Sequence, residues 1–213
     1  YCEMKWIYFK HWNQMSNKKF KNIIKKQKTI SIIGASRKLG VTHVCLCLAN
    51  FLASALKQRE LYIELSEESQ LLGFVGDKQI KIHNQTAFFY KNVNYVLSCS
   101  AVDAMSLINN FDGYVIVDIS KYSEDTRLIF KQCDKRIVIG SMKPWCFKDI
   151  DIIMSKLKGE LGIKIKFYNL SSNKNEINEF KTIYNQPMEA LPYIDNPFAL
   201  KEENFDSLIK MIE

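Results

Sequence analysis

Uninterrupted apolar runs that alternate with helix-type patterns constrain the fold of this chain more than any other feature. The runs TISIIGA, GYVIVDIS and KRIVIGS lack the polar alternation of a strand that has one face in solvent. Parallel strands covered by helices on both faces require such runs. Strands that alternate with helices along the chain form βαβ units. The sequence therefore predicts an α/β fold, a doubly wound, mostly parallel sheet with helices on both faces.

The predicted elements alternate from residue 29 to the end of the chain. The strands are TISIIGA, ELYIELS, NYVLSCS, GYVIVDIS, KRIVIGS and IKIKFYNL. The helices are 44–56, AVDAMSLINNF, SEDTRLIFKQC, FKDIDIIMSKLKGEL, NEINEFKTIYN and FDSLIKMIE. Ligands of doubly wound sheets bind beyond the carboxyl ends of the strands. The candidate site therefore consists of the loops that follow residues 33, 65, 119, 140 and 169.

The net charge of +7 is concentrated at one end of the chain. Residues 1–28 contain eight lysines and one acid, Glu3, whereas residues 29–213 contain 22 basic and 22 acidic side chains. We therefore divide the chain into a basic, aromatic-rich N-terminal segment, 1–28, and a folded domain, 29–213.

Three interpretations of the basic segment are open. Lysines beside Trp6 and Trp12 suit an anionic membrane surface, and they also suit a nucleic-acid backbone. The third interpretation is a solvated helix or linker whose aromatic side chains pack on the domain. The solvated helix or linker is favoured, and a membrane or protein partner is favoured over nucleic acid.

The sequence predicts a cytoplasmic protein. No apolar run reaches the length of about 18 residues that a membrane span needs. The first residues lack the apolar core and cleavage site of a secretory signal. The six cysteines form no CxxC pair, which favours buried, reduced side chains over a metal site. Under the membrane interpretation of residues 1–28, the protein would lie peripherally at the inner membrane face.

The stretch GASRKLGVTH, between the first strand and the first helix, has the placement of a phosphate-binding loop. Such a loop directs backbone N–H groups and a helix N-terminus at the anion, and a lysine bridges the terminal phosphates. Gly40 permits close backbone approach and Thr42 supplies a hydroxyl for magnesium, but Val41 stands where the lysine is needed. Arg37 and Lys38 either swing inward to supply charge or remain solvated.

The strand GYVIVDIS ends in Asp118, in the form of a Walker B carboxylate that holds a magnesium shell. Thr42 and Asp118 are therefore the candidate metal ligands. Each also has a structural interpretation, since Thr42 suits a helix N-cap and Asp118 suits a cap or turn. The acidic run of Glu64, Glu67 and Glu68 is expected to be a solvated loop. His43 and Trp145 are expected to pack.

The segments ISIIGASRKLGVTHVCLCLANFLAS, ELYIELS, GYVIVDIS, KRIVIGSMKP and MEALPYIDNPF resemble the ParA/MinD group of P-loop ATPases over residues 29–213. That group carries the deviant Walker A loop Lys-Gly-Gly-x-Gly-Lys-Thr. On this chain its lysines fall on Ser36 and Val41, and two of its glycines fall on Arg37 and Lys38. The group's hydrolytic aspartate falls on Ser66.

The resemblance implies a P-loop NTPase-like fold and a nucleotide site. The implied nucleotide contacts are Ser36, Arg37, Lys38, Leu39, Gly40, Val41, Thr42, His43 and, near the adenine, Asn169. The implied ligand is ATP or ADP with magnesium, and the absence of any nucleotide is an equal alternative. No residue is assigned a catalytic role.

Three functions follow from these residues. The first is a ParA/MinD-like protein with a degenerate Walker A loop, acting as a regulatory or scaffolding partner with weak or no hydrolysis. The second is an active ATPase that forms a nucleotide-sandwiched homodimer. The third is a protein-interaction module that binds no nucleotide. The missing lysines at Ser36 and Val41 favour the first, and hydrolysis is not expected.

Overall fold

The computed structural model describes residues 28–69, 71–160 and 164–213. The predictions made for the basic segment fall outside these ranges, except at Lys28. The side chain of Glu160 is also outside the description.

Nine strands of the described chain form one sheet. In sheet order they run β3-β4-β5-β2-β6-β1-β7-β8-β9. Their bounds are β1 Lys28–Gly34, β2 Glu60–Leu65, β3 Gln79–Ile82, β4 Gln85–Tyr90, β5 Val93–Val96, β6 Tyr114–Ile119, β7 Lys135–Gly140, β8 Ile165–Asn169 and β9 Met188–Ala190. The pairs from β5 to β9 across the sheet are all parallel. The first strand therefore lies at the centre of the sheet, between β6 and β7.

Helices cover both faces of the sheet, which confirms the predicted doubly wound fold. Their bounds are α1 Val41–Asn50, α2 Ala101–Asn110, α3 Glu124–Gln132, α4 Phe147–Leu157, α5 Lys174–Tyr184 and α6 Phe205–Ile212. A π-helical stretch, Phe51–Ala55, continues α1. Helices α1 and α6 bury their apolar residues in a core on one face, and α2 to α5 bury theirs in a core on the other.

An antiparallel hairpin at one edge of the sheet is the main feature that the sequence analysis missed. Strands β3 and β4 pair antiparallel, as do β4 and β5. The two-residue turns between them are His83-Asn84 and Lys91-Asn92, and all four residues have φ between 45° and 68°. Two left-handed residues in succession make the turn whose twist suits a hairpin, and asparagine tolerates that conformation.

Four of the cysteines are buried in the cores, as predicted: Cys45, Cys47, Cys99 and Cys133. Within residues 28–69, 71–160 and 164–213, no group of three or more His, Cys, Asp or Glu side chains could hold a metal ion. No helix in those same ranges has the length and apolarity needed to cross a bilayer.

Candidate functional site

The loop between β1 and α1 places a left-handed glycine directly before the helix, as the sequence prediction requires. Gly40 precedes the helix in a left-handed conformation, with φ 83° and ψ 19°. Its carbonyl accepts the first helical hydrogen bond, from the N–H of Val44 at 2.9 Å. No side chain caps α1, so the interpretation of Thr42 as an N-cap is wrong. The first N–H groups of an α-helix have no partner within the helix, and a helix start of this kind can bind an anion.

Lys38 also adopts a left-handed conformation, with φ 64°. This geometry costs a residue with a Cβ atom about 1–2 kcal/mol relative to glycine. The resemblance places a glycine at Lys38, so this chain retains a glycine-like backbone with a different side chain. The side chains of Arg37 and Lys38 are both exposed. In this structure they are solvated and do not swing inward.

Val41 places an apolar side chain next to Gly34, at the end of β1. A Cβ atom on Gly34 would lie 3.0 Å from Cγ2 of Val41 and 2.8 Å from the carbonyl oxygen of Ser36. Only glycine fits there without a shift, because the second contact is to backbone. Val41 packs against the α1 core, and the neighbouring Leu39 is buried in that core. The position that the family resemblance assigns to a lysine is therefore occupied by a packed valine.

The structure brings together the two predicted magnesium ligands. Asp118, at the end of β6, is buried, and Thr42 lies close enough to its carboxylate to lower its pKa. The hydroxyl of Tyr62 donates a hydrogen bond of 2.7 Å to Oδ2 of Asp118. Burial raises the pKa of Asp118, and the hydrogen bonds from Thr42 and Tyr62 oppose that rise. Carboxylate and hydroxyl oxygens are ligands that suit Mg²⁺.

Glu64 adds a second carboxylate beside Asp118. The two residues are paired in register on β2 and β6. Glu64 is buried, so the prediction that it is a solvated loop residue is wrong, whereas Glu67 and Glu68 are exposed. Oε2 of Glu64 has no hydrogen-bond partner among the described residues. Desolvation raises the pKa of Glu64, and the charge of Asp118 raises it further.

Sequence reasoning missed Tyr62 and Glu64 as members of this site. Glu64 carried a usable signal, since it lies two residues after Tyr62 on the same face of β2, at the strand end where ligands bind. Tyr62 carried none, because tyrosine is a common residue of buried strands. Ser66, where the resemblance places the hydrolytic aspartate, donates its hydroxyl hydrogen to the carbonyl of Glu68 at 3.1 Å.

Asn169, at the end of β8, is completely buried and joins three segments. Its amide donates to the carbonyl of Ser171 at 2.8 Å and to Oε2 of Glu176 at 2.9 Å. Its Oδ1 accepts from the N–H of Met142 at 3.0 Å. Both amide hydrogens are therefore committed to protein partners. Contact between Asn169 and adenine stays a prediction. It requires the amide to give up one of these two hydrogen bonds.

Of the two residues that were predicted to pack, His43 contacts the fold and Trp145 does not. Nε2 of His43 lies 2.7 Å from the carbonyl oxygen of Ile194, so His43 ties α1 to the loop after β9. Trp145, by contrast, is 80% exposed, and the prediction that it packs is wrong. Tyr193, in the loop after β9, is 86% exposed. Both aromatic side chains lie on the carboxyl edge of the sheet, which also carries the loop.

The chain is similar to known proteins at the level of solved structures. No protein-family model matches the sequence, and no curated protein matches it. A putative plasmid partition protein from Borrelia burgdorferi, bound to AMPPNP, superposes with a TM-score of 0.58 at 11% identity, covering 88% of this chain and 98% of that chain. A ParA family ATPase from Chlorobium tepidum superposes with a TM-score of 0.57 at 10% identity, covering 87% and 89%.

A third similar structure is a septum site-determining protein MinD from Pyrococcus horikoshii, complexed with Mg-ADP. It superposes with a TM-score of 0.55 at 15% identity, covering 76% of this chain and 79% of that chain. The chain therefore has the P-loop NTPase-like fold of the ParA/MinD ATPases, as its sequence predicted. At these identities the similarity concerns the fold alone.

Proposed function

We propose that this protein is a ParA/MinD-like regulatory or scaffolding protein whose degenerate phosphate loop supports weak or no ATP hydrolysis. The observation that carries the proposal is the packed side chain of Val41. The Val41 side chain lies against Gly34 at the end of β1 and packs on the α1 core. An apolar group there offers no charge to the terminal phosphates of a nucleotide.

Electrostatics at the site support the same conclusion. Phosphoryl transfer is catalysed mainly by positioning and by neutralising charge that spreads over the phosphate oxygens. The loss of one such contact in a water-excluded site costs about 3–4 kcal/mol of transition-state stabilisation. Glu64 and Asp118 bring two carboxylates to the same place. Where they are ionised, they repel a nucleotide that arrives without its magnesium ion.

The carboxyl edge of the sheet suits a scaffolding role because it exposes apolar side chains next to the loop. Trp145 and Tyr193 are almost fully exposed there, and Leu170 after β8 is 48% exposed. Tryptophan and tyrosine are enriched in the energetic centres of protein interfaces. We propose that a protein partner, or a second copy of this chain, contacts this edge.

Nucleotide binding by an altered geometry is the second candidate function. It is favoured by the backbone of the loop, since Gly40 and Lys38 are left-handed and Thr42 lies beside Asp118. The plasmid partition protein with a similar fold was solved with AMPPNP, and the MinD with Mg-ADP. In this second candidate function, the protein binds ATP or ADP with magnesium but does not hydrolyse ATP efficiently.

A thermal-unfolding series with nucleotide separates these candidates. With 1 mM Mg-ATP or Mg-ADP, the first proposal predicts a dissociation constant of about 1 mM or weaker. A site of that strength stabilises the fold by at most about 0.4 kcal/mol, or a rise in Tm of about 2 °C or less. A rise of about 5 °C or more that disappears in both Thr42→Ala and Asp118→Ala would establish the second candidate.

A further inference from the structure

A surface cavity of about 380 Å³ lies between α3 and α4, on the face of the sheet opposite to α1. Its walls come from the loop before α3, from the first turns of α3 and from the last turn of α4. The lining residues are Lys121, Tyr122, Ser123, Glu124, Arg127 and Lys156. We call this site the α3–α4 cavity. The predicted nucleotide contacts and metal ligands all lie outside its lining.

The α3–α4 cavity contains more positive than negative charge. Three of its side chains are cationic, and its one carboxylate is Glu124. Glu124 is engaged by Arg127, whose Nη1 donates to Oε2 at 3.1 Å. Within the described ranges, no residue forms an ion pair or a side-chain hydrogen bond with the ammonium group of Lys121 or of Lys156. The cavity therefore offers two uncompensated positive charges to an anionic ligand.

Each of the two helices also exposes an aliphatic side chain one turn away from the cavity. Leu128 is 61% exposed and lies four residues after Glu124 on α3. Ile152 is 44% exposed and lies four residues before Lys156 on α4. Because residues four apart are neighbours on one face of a helix, both aliphatic side chains border the cavity. The surface around the α3–α4 cavity therefore combines cationic and apolar groups.

This combination suits a polypeptide better than a nucleic acid. The ring of Tyr122 packs edge-on against Phe130, with the ring centroids 5.7 Å apart, and it also packs on the core under α2 to α5. Tyr122 is therefore committed to the fold and is not a platform for stacking bases, which single-stranded nucleic acid uses. A phosphate backbone is bound by cations, which leaves Leu128 and Ile152 without a role. An acidic polypeptide uses both kinds of group.

We propose that the α3–α4 cavity binds an acidic amphipathic helix of a partner protein. Carboxylates of the partner pair with Lys121 and Lys156, and its apolar residues cover Leu128 and Ile152. Helices that dock in grooves are recognised through apolar anchors three or four residues apart, and complementary charge supplies specificity and a high rate of association. The proposal does not depend on nucleotide binding, because no residue of the phosphate loop takes part.

Fluorescence anisotropy of a labelled synthetic peptide tests the proposal on the full chain without nucleotide. The probe is an amphipathic helix of about 20 residues, with glutamates on its polar face and leucines at helical spacing on the other. A second probe has lysines in place of the glutamates. At ~0.1 M salt, the parent chain is expected to bind the acidic peptide at least about tenfold more tightly than the basic one.

Charge reversal at the α3–α4 cavity is expected to weaken binding of the acidic peptide. Lys121→Glu/Lys156→Glu should bind it at least about tenfold more weakly than the parent chain. The matched control is Lys57→Glu/Lys210→Glu, at exposed positions after α1 and within α6, on the other face of the sheet. In each pair one lysine lies in a loop and the other in the last turn of a helix. Binding by the control should stay within about twofold of the parent chain.

A second pair of variants tests the apolar contacts. Leu128→Ser/Ile152→Ser is expected to bind the acidic peptide at least about fivefold more weakly, because it removes two aliphatic side chains that the partner would cover. Val102→Ser/Ile183→Ser removes exposed aliphatic side chains from α2 and α5 and should bind within about twofold of the parent chain. Thermal unfolding of all these variants should match that of the parent chain, since every substituted side chain is exposed.

Glu124 competes with the partner for Arg127. A carboxylate of the partner that reaches Arg127 must displace Glu124, which is exposed and forms an ion pair within one turn of α3. Such exposed pairs are worth little to the fold. In the same titration, Glu124→Gln is therefore expected to bind the acidic peptide about two- to fivefold more tightly than the parent chain.

Three results would overturn the proposal: no binding of the acidic peptide by the parent chain, equal binding of the acidic and basic peptides, or equal binding of the acidic peptide by Lys121→Glu/Lys156→Glu and its control. A parallel titration with duplex DNA identifies the alternative partner. Loss of DNA binding by Lys121→Glu/Lys156→Glu, with peptide binding unchanged, would assign the cavity to nucleic acid. Repeating the titrations with Mg-ATP keeps failure of the nucleotide proposal distinct from failure of this one.

Discussion

A Val41→Lys variant is expected to bind Mg-ATP about 10- to 100-fold more tightly than the parent chain. The substitution places an ammonium group at the start of α1, where the backbone of Gly40 and the Thr42–Asp118 pair already have a suitable arrangement. A charge-assisted hydrogen bond contributes about 1.5–3 kcal/mol, and about 1.4 kcal/mol corresponds to a tenfold change in affinity. Isothermal titration calorimetry or the rise of Tm with nucleotide measures the gain.

The matched control is Val41→Gln, which has similar length and no charge. Both variants remove the same valine from its packing against the α1 core, so the loss of fold stability should be similar. If the glutamine variant gains as much affinity as the lysine variant, or if neither gains any, the missing charge at Val41 is not what weakens the site.

A Glu60→Gln variant is expected to raise the free energy of unfolding by about 1–3 kcal/mol at pH 8. Glu60, at the start of β2, is 1% exposed, and neither carboxylate oxygen has a hydrogen-bond partner among the described residues. Burial therefore raises the pKa of Glu60 well above its ordinary value of 4.5. Cys45 of α1 and Tyr95 of β5 lie within electrostatic range of this carboxyl.

The pH dependence has a definite sign. The folded chain retains the proton of Glu60 in the interval between pH 4.5 and the raised pKa, whereas the unfolded chain has lost it. Stability contributed by the protonated form is therefore present below pH 4.5 and is lost as the pH rises through that interval. The advantage of Glu60→Gln should be small at pH 4.5 and full at pH 8. Urea unfolding at both pH values measures it.

Glu67→Gln is the control for that experiment, because Glu67 is exposed in the loop after β2. Its effect should stay within about 0.5 kcal/mol at either pH. A gain for Glu60→Gln of equal size at both pH values would contradict the account, as would a loss at pH 8. A loss at pH 8 would mean that Glu60 is ionised and compensated inside the fold, and an equal gain would mean that Glu60 has the same protonation state in the folded and unfolded chains.

The fold was predictable because its main determinants are local. Strands β1, β6 and β7 are buried on both faces, so their sequences are continuous apolar runs without alternating polar residues. Such runs can be recognised in the sequence alone. The β3–β4 hairpin was missed because its strands are short and partly exposed. Its turns are formed by His83-Asn84 and Lys91-Asn92, in which asparagine was the available signal and glycine is absent.

The site was only partly predictable because its chemistry depends on neighbours that are distant in sequence. The strand–loop–helix placement identified Gly40, Thr42 and Asp118, which the fold brings to one end of the sheet. The burial of Glu64 depends on the pairing of β2 with β6, and that of Asn169 on the loops around β8. The left-handed conformation of Lys38 could not be read from its identity, since lysine rarely adopts it.

Phosphate release from Mg-ATP is the measurement that tests the proposed loss of ATP hydrolysis most directly. The parent chain, Thr42→Ala and Asp118→Ala are compared at saturating magnesium, after size-exclusion purification to remove contaminating ATPases. We expect the parent chain to release phosphate no faster than either variant, because Val41 supplies no charge to the transferring phosphoryl group. Steady turnover by the parent chain that is lost in both variants would contradict the account and identify the protein as an active ATPase.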